Sequence, residues 1–340
     1  MKRLFISKPI ISYILITFVI TYFFWFLPVL VNLPKDITFG CILIGSCGPL
    51  LAGYCITLIN SNSKIVISSK SIFLFVFFAS AITLGLRIYF SNKGLSDING
   101  KIPKINEVSI TGYLLFALLC LILALNASNA TNKGLNENYL KSFLFEKSKW
   151  KWYLFALLFL PMIALLSYTL GSLIETKTTD FIVSLKPMWL LGFFSTFFFF
   201  GGNEEFGWRG LLQKEMQKKY SPLILVALIT FLWSIWHLPL NYNGFYSTGG
   251  IKDFLPRLIF TLPLTIIFTW AYNKSKYSIL TVVILHCMTN NFGKAFGQSE
   301  TIFDILILLF CAYCIVTDKM WKKKSFYLIY QNEDRKDASS

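Results

Sequence analysis

Long apolar runs separated by short polar segments make up most of this chain. A helix needs about 20 apolar residues to cross the hydrocarbon core of a membrane, and ten runs approach or reach that length. They cover approximately residues 10–31, 38–59, 71–90, 109–127, 151–173, 187–204, 222–240, 255–272, 278–297 and 302–318. The pattern predicts an all-α fold, a polytopic transmembrane helix bundle of about 8–10 spans.

Composition supports a membrane location, because 55% of the 340 residues are hydrophobic and only 14% are charged. The net charge of +15 need not indicate nucleic acid. Lys and Arg collect in the cytoplasmic segments of membrane proteins, where they face anionic lipid. If both termini are cytoplasmic, alternating spans leave 22 of the 32 Lys and Arg residues on the cytoplasmic side. We therefore expect a multi-pass protein with cytoplasmic N- and C-termini and anionic lipid as a partner.

Polar segments divide the chain into five parts. Residues 1–128 hold the first four apolar runs, and residues 129–150 form a cytoplasmic loop. Residues 151–300 hold the ionisable and polar residues that could take part in catalysis. A last span at 301–318 and a basic cytoplasmic tail at 319–340 follow. We read the whole as one membrane domain.

The sharpest break in the apolar pattern follows an aromatic-rich run, where Glu204, Glu205 and Arg209 come in quick succession. A charge in hydrocarbon costs about 3 kcal/mol on insertion scales, so charged groups there are paired or functional. Glu205 and Arg209 are four residues apart and can pair on one helix face, which leaves Glu204 available as a general acid or base. A salt bridge among the lipid headgroups is the structural alternative.

The two histidines of the chain, His237 and His286, both lie in apolar segments. His286 and Asn290 are four residues apart on one helix face, and could together bind a carbonyl oxygen that gains charge during peptide-bond attack. The alternatives are an inert, interfacial His237 and a His286–Asn290 pair that only links helices.

The rise of a helix, about 1.5 Å per residue, predicts that these groups lie at similar depths in the membrane. Glu204 and His237 each lie about 25 Å along a helix from a turn near Ser221. His286 lies about 14 Å from the same face, and the levels agree if residues 210–221 extend outward by about 10 Å. Residues 222–228 would then need cover from another part of the protein or from lipid. The sequence thus predicts a polar catalytic cavity within the membrane.

These motifs resemble those of the CPBP family of intramembrane proteases, which includes the type 2 CAAX prenyl proteases and the bacteriocin-processing, or Abi, proteins. The family motif EExxxR is matched by Glu204, Glu205 and Arg209. An aromatic residue separated from a histidine by three residues is matched by Trp233 and His237, with Trp where Phe is usual. The motif HxxxN is matched by His286 and Asn290. The resemblance covers roughly residues 150–300.

The resemblance implies hydrolysis of a peptide bond inside the membrane. Glu204 would activate water with help from His237, and His286 and Asn290 would stabilise the oxyanion. Glu205, held by Arg209, would orient the site. The substrate would be a prenylated C-terminus, a peptide precursor or a membrane anchor. Composition favours a bacterial plasma membrane, so we expect peptide maturation or self-immunity to a bacteriocin.

Three questions stay open at this level. Glu204, His237 and His286 could ligate Zn²⁺ with an open water position, although a metal-independent glutamate mechanism is slightly favoured. No other cofactor is expected. A non-catalytic immunity or scaffold protein is an alternative function, and a transporter with a buried proton relay is a further one. The oligomeric state is undetermined.

Overall fold

The computed structural model describes residues 7–61, 64–93, 105, 107–131, 144–174, 188–292 and 300–323. Within these ranges the regular structure is helical and no strand occurs, which confirms the predicted all-α bundle. The helices are, in chain order, α1 (Pro9–Leu30), α2 (Lys35–Ser46), α3 (Gly48–Ser61), α4 (Lys70–Asn92), α5 (Ile110–Asn129), α6 (Trp150–Ile174), α7 (Met188–Phe198), α8 (202–216), α9 (Pro222–Trp236), α10 (Phe254–Lys274), α11 (Ile279–Phe292) and α12 (Glu300–Thr317).

The chain is a multi-pass membrane protein. Six of the described helices are long and apolar enough to cross a membrane, namely α1, α4, α5, α6, α10 and α12. The pair α2 and α3, bent by 46°, makes a seventh if it counts as one span. The predicted polytopic bundle is thereby confirmed, although the described helices of full spanning length are fewer than the expected 8–10 spans. Helices α7, α9 and α11 have only 11, 15 and 14 residues, and at about 1.5 Å per residue they fall short of a core about 30 Å thick.

The run predicted as one span over 187–204 is broken before its acidic end. Helix α7 ends at Phe198, and Gly201 has a φ of +146°, which glycine adopts without strain. A Cβ atom on Gly201 would also lie 2.6 Å from the Nε2 atom of His286. The two carboxylates therefore stand at the start of α8 and not at the end of α7.

Helix α8 changes its winding along its length. It opens with a 3₁₀ turn at Gly202–Glu204, continues as α-helix at Glu205–Gly207, widens into a π-helical stretch at Trp208–Gln213 and ends as α-helix at Lys214–Met216. Stretches of π-helix are rare and often occur at functional sites. Every residue from 201 to 213 is buried, so this irregular backbone is enclosed by the rest of the bundle.

Residues 210–221, which are expected to extend outward, begin with buried side chains. Gln213 is fully buried, and its Nε2 atom lies 3.5 Å from the Oδ1 atom of Asn273 at the end of α10. Side chains become accessible only from Lys214 onward. The cover for the start of α9 comes from the turn after α12, where the backbone N–H of Leu223 donates to the carbonyl of Met320 at 2.9 Å.

The first three helices support the helices that carry the polar groups. Thr21 on α1 accepts a hydrogen bond from the indole N–H of Trp236 at 2.8 Å, and Tyr22 donates to the carbonyl of Ile235 at 2.6 Å. At the end of α2, the hydroxyl of Ser46 donates to the carbonyl of Phe199 at 2.6 Å. The N-terminal part of the chain therefore fixes both the break before α8 and the end of α9.

Candidate active site

The centre of the polar cluster is the carboxylate of Glu205. Its Oε2 atom lies 2.9 Å from Nη1 of Arg209, as the four-residue spacing predicts, and its Oε1 atom lies 2.6 Å from Nδ1 of His286. The side chains of Glu205 and Arg209 are 0% exposed. A buried carboxylate needs such partners, because an uncompensated charge in the interior is strongly destabilising. Glu205 thus joins α8 to α11.

Aromatic rings enclose the buried guanidinium of Arg209. Its Cζ atom lies 5.1 Å from the ring centres of both Trp233 and Phe268. Cations are attracted to the faces of aromatic rings, most strongly where water is excluded. The arginine is therefore held by one ion pair and two rings, and it fixes α8 against α9 and α10.

Glu204 has surroundings different from those of its neighbour. Its Oε2 atom accepts a hydrogen bond of 2.8 Å from the indole N–H of Trp233, and its side chain is buried. No described cation forms an ion pair with it. Of the two adjacent carboxylates, Glu205 is the one paired with Arg209 and His286, and Glu204 contacts neither in the described structure. The sequence predicted that Arg209 would pair with Glu205 and leave Glu204 available.

His237 is held in one tautomer by the backbone. Its Nδ1 atom lies 2.7 Å from the carbonyl of Trp233, and since a carbonyl can only accept, Nδ1 carries the proton. The neutral ring therefore has its lone pair on Nε2. Trp233 contacts Glu204 through its indole and His237 through its carbonyl, so one residue positions two of the predicted groups.

The ring of His286 lies beside the glycine that breaks the chain before α8. Nδ1 faces Glu205, and Nε2 faces Gly201, where any Cβ would collide with it. The ring is also packed against Trp233 and Phe268, with centres 5.3 Å and 5.4 Å away. The imidazole is held both by its contact with the Glu205 carboxylate and by ring packing.

Asn290 closes the cluster on the same face of α11. Its Nδ2 group donates to the carbonyl of Phe200 at 2.8 Å, next to Gly201. A carboxamide NH₂ has two donors, so one N–H is not used by this bond. The next residue, Asn291, has a structural role instead, because its Nδ2 donates to Thr196 on α7 at 3.0 Å.

The metal hypothesis has limited geometric support. In both His237 and His286, Nδ1 contacts an oxygen atom and Nε2 remains available. This arrangement suits metal ligation through Nε2. Across the part of the chain that the structure describes, however, no three His, Cys, Asp or Glu side chains are grouped so that they could hold a metal ion. Glu204, His237 and His286 therefore do not form a ready ligand set.

Sequence reasoning found the ionisable groups and the Glu205–Arg209 pair but missed the other partners. The indole of Trp233 was noted only as an aromatic residue, although its spacing of four from His237 places both on one helix face. Phe268, which packs on Arg209, and the carbonyl of Phe200 had no sequence signal. Backbone acceptors and ring contacts depend on how helices cross, which periodicity does not reveal.

The fold and this cluster define a class, a polytopic helical membrane protein with a buried network of carboxylates, imidazoles and a carboxamide. Residues 186–292 match the family model described as "Type II CAAX prenyl endopeptidase Rce1-like". All six predicted site residues lie within that stretch. The family resemblance seen in the three motifs is thereby confirmed for this part of the chain.

A curated relative supports the same match. "CAAX prenyl protease 2" of Methanococcus maripaludis is 30% identical to this chain over 161 residues, which are 44% of this chain and 54% of the relative. The chain thus spans about half the length of the curated relative that it matches. The first helices of this chain lie outside the family model, although they contact the site.

Proposed function

We propose that this protein is an intramembrane endopeptidase that hydrolyses a peptide bond of a membrane-associated protein or peptide. The observation that carries the proposal is the division of labour between the two adjacent carboxylates. Glu205 is bound to Arg209 and His286, whereas the side chain of Glu204 has, among the described residues, a neutral indole N–H as its hydrogen-bond donor. A carboxylate without a cation partner in a buried site is a suitable general base.

In this mechanism Glu204 takes a proton from water while the water oxygen attacks the carbonyl carbon of the scissile bond. The lone pair on Nε2 of His237 accepts a hydrogen bond from the same water and orients it. The proton on Glu204 then passes to the leaving nitrogen, and the C–N bond breaks. The products are a new carboxyl terminus and a free amine, and Glu204 is again ionised.

His286 and Asn290 stabilise the oxyanion of the tetrahedral intermediate. The second N–H of the Asn290 carboxamide is one donor, and His286 acts through Nε2, which faces the break at Gly201. The Nδ1 atom of the same ring lies 2.6 Å from Oε1 of Glu205, and this contact orients the imidazole. Glu205 and Arg209 are positioning residues that act through His286.

The mechanism runs without a metal-bound step. Zn²⁺ would supply a Lewis acid and an activated water if Glu204, His237 and His286 held it. The described arrangement does not gather these three as ligands. The glutamate mechanism needs only the contacts already described, so we prefer it.

The substrate and setting follow by analogy with the family and by composition. The name of the archaeal relative refers to prenylated CAAX proteins. For this chain we propose a bacterial plasma membrane, cytoplasmic termini, anionic lipid at the basic segments and a peptide precursor as substrate. Maturation of that peptide, or self-immunity to a bacteriocin, is the resulting role.

The test is cleavage of a quenched-fluorescent peptide library by the purified protein in detergent, with and without a strong chelator. Mass spectrometry of the products identifies the bond that is broken. Chelator-resistant cleavage is the expected result. Cleavage lost with chelator would favour the metalloprotease mechanism. No cleavage under any condition would contradict the peptidase and favour the non-catalytic immunity or scaffold role. Proton-coupled uptake that survives loss of His286 or Asn290 would favour the transporter.

A further inference from the structure

A buried arginine lies outside the three motifs and outside the stretch that matches the family model. Arg87 is the single charged residue from Ser71 to Asn92 of α4, a helix long and apolar enough to cross a membrane. Its side chain is buried, with an exposed fraction of 4%. Charged residues are rare within membrane spans and usually have a function there, because burying the charge is costly. Arg87 is therefore a candidate functional residue.

Arg87 packs on the residue that precedes the break at Gly201. Its Cζ atom lies 4.6 Å from the ring centre of Phe200, and cations are attracted to the faces of aromatic rings. The same ring is stacked on Phe245, with centres 5.9 Å apart, and its centre lies 6.3 Å from that of the fully buried Phe39. The guanidinium therefore belongs to a group of packed side chains that holds Phe200 in place.

The backbone of Phe200 links this contact to the oxyanion donor. Its carbonyl accepts the 2.8 Å hydrogen bond from Nδ2 of Asn290. This bond uses one N–H of the carboxamide and thereby sets the direction of the other, because both N–H bonds leave the same planar nitrogen. A displacement of Phe200 would turn the second N–H away from the oxyanion. Arg87 can thus affect the oxyanion donor through Phe200.

We propose that Arg87 is a positioning residue, which holds Phe200 so that its carbonyl directs the Asn290 carboxamide toward the oxyanion. This inference rests on the proposed endopeptidase function, and it gives a helix outside the family model a part in the reaction. Loss of Arg87 weakens a hydrogen bond that forms fully only in the transition state. The expected signature is a lower kcat with an unchanged KM.

The first test measures kcat and KM on one identified peptide. Arg87→Met should lower kcat about 5- to 30-fold, the value of a cation–π contact shielded from water, and should leave KM unchanged. Lys93→Met is the matched control at the end of the same helix. The Nζ atom of Lys93 lies 5.8 Å from the ring centre of Tyr89, which is 54% exposed, so this variant should cleave as the wild type does. An unchanged kcat in Arg87→Met, or a rise in KM alone, would overturn the proposal.

A double-mutant cycle tests whether Arg87 acts through Asn290. Asn290→Ala alone should lower kcat about 10²- to 10³-fold, as removal of an oxyanion donor does. Arg87→Met added to Asn290→Ala should cause no further loss, because the group that Arg87 positions is already absent. The same loss in both backgrounds would contradict a role through Asn290. If Arg87→Met does not fold, Phe200→Leu replaces it in the cycle, since it removes the ring of the same contact.

A measurement without turnover keeps this inference separate from the proposed chemistry. Protein made with isotopically labelled asparagine nitrogen gives NMR signals for the side-chain NH₂ groups, and the signal absent from Asn290→Ala belongs to Asn290. We expect Arg87→Met to shift that signal and Lys93→Met to leave it in place. A signal that stays in place in folded Arg87→Met would overturn the role of Arg87 even if the peptide is cleaved. A shifted signal without any cleavage by the wild type would contradict only the peptidase.

Discussion

Long and short helices of this protein have different surroundings. Among the long ones, only 17% of the apolar stretch of α12 and 28% of that of α1 is buried, and large side chains such as Val19 and Leu308 face outward. From Gly201 to Gln213, by contrast, every residue of the break and of α8 is buried. The ionisable groups of the site are carried by the short helices and the breaks between them, since irregular backbone in a membrane is tolerated only where protein encloses it.

This difference teaches that the two kinds of helix have separate tasks. Long helices meet lipid and enclose the bundle, and they tolerate a range of apolar residues on their outer faces. Short helices place hydrogen-bonding groups at one depth, and each group there has a specific partner. Substitutions should therefore have large effects in the short helices and small effects on the outer faces of the long ones.

The largest expected effect on stability concerns the ion pair inside α8. Arg209→Met removes the guanidinium that pairs with Glu205, and breaking a fully buried pair costs about 3–5 kcal/mol. Unfolding of the detergent-solubilised protein should show this loss. The matched control is Lys218→Met, because Lys218 and Glu215 form a pair whose side chains are 35% and 34% exposed. That change should cost at most about 1 kcal/mol, and equal losses in both variants would contradict the comparison.

A second effect concerns activity more than folding. Trp233→Phe keeps an aromatic ring and introduces the residue usual at that place in the family motif, but it removes the N–H that holds Glu204. A hydrogen bond to a charged group contributes about 1.5–3 kcal/mol, so kcat/KM should fall roughly 10- to 100-fold. Trp150→Phe, on an exposed ring of α6, is the control. Unchanged kcat/KM in Trp233→Phe would contradict a role of the indole N–H in holding Glu204 for catalysis.

The smallest effect belongs to the lipid-facing surface. Leu308→Ala on α12 should change the free energy of unfolding by no more than about 0.5 kcal/mol, because its side chain is 60% exposed. Ile307→Ala, one residue earlier and buried in the core, should cost about 2 kcal/mol or more. A reversed order would show that α12 packs differently from the described arrangement.

Sequence alone located the polar groups of the cluster better than the helices that hold them. The spacing of four residues led from Glu205 to Arg209 and from His286 to Asn290, and periodicity carries that kind of information. The break at Gly201 was missed because the aromatic run continues through Phe199 and Phe200, beyond the end of α7 at Phe198. The expected 8–10 spans exceed the number of long described helices because α9 and α11 are apolar but have only 15 and 14 residues. The supporting contact from Thr21 to Trp236 joins residues far apart in the chain, which local pattern cannot predict.

The central claim is that Glu204 acts as the base, and one side-by-side assay tests it most directly. Cleavage of a single identified peptide is measured for the wild type, Glu204→Gln and Glu215→Gln, with unfolding curves for all three. Since the amide replaces the carboxylate at nearly the same volume, Glu204→Gln should remain folded and lose about 10²- to 10⁴-fold in kcat. Glu215→Gln, on the partly exposed end of α8, should cleave as the wild type does. Full activity in a folded Glu204→Gln protein would contradict the account.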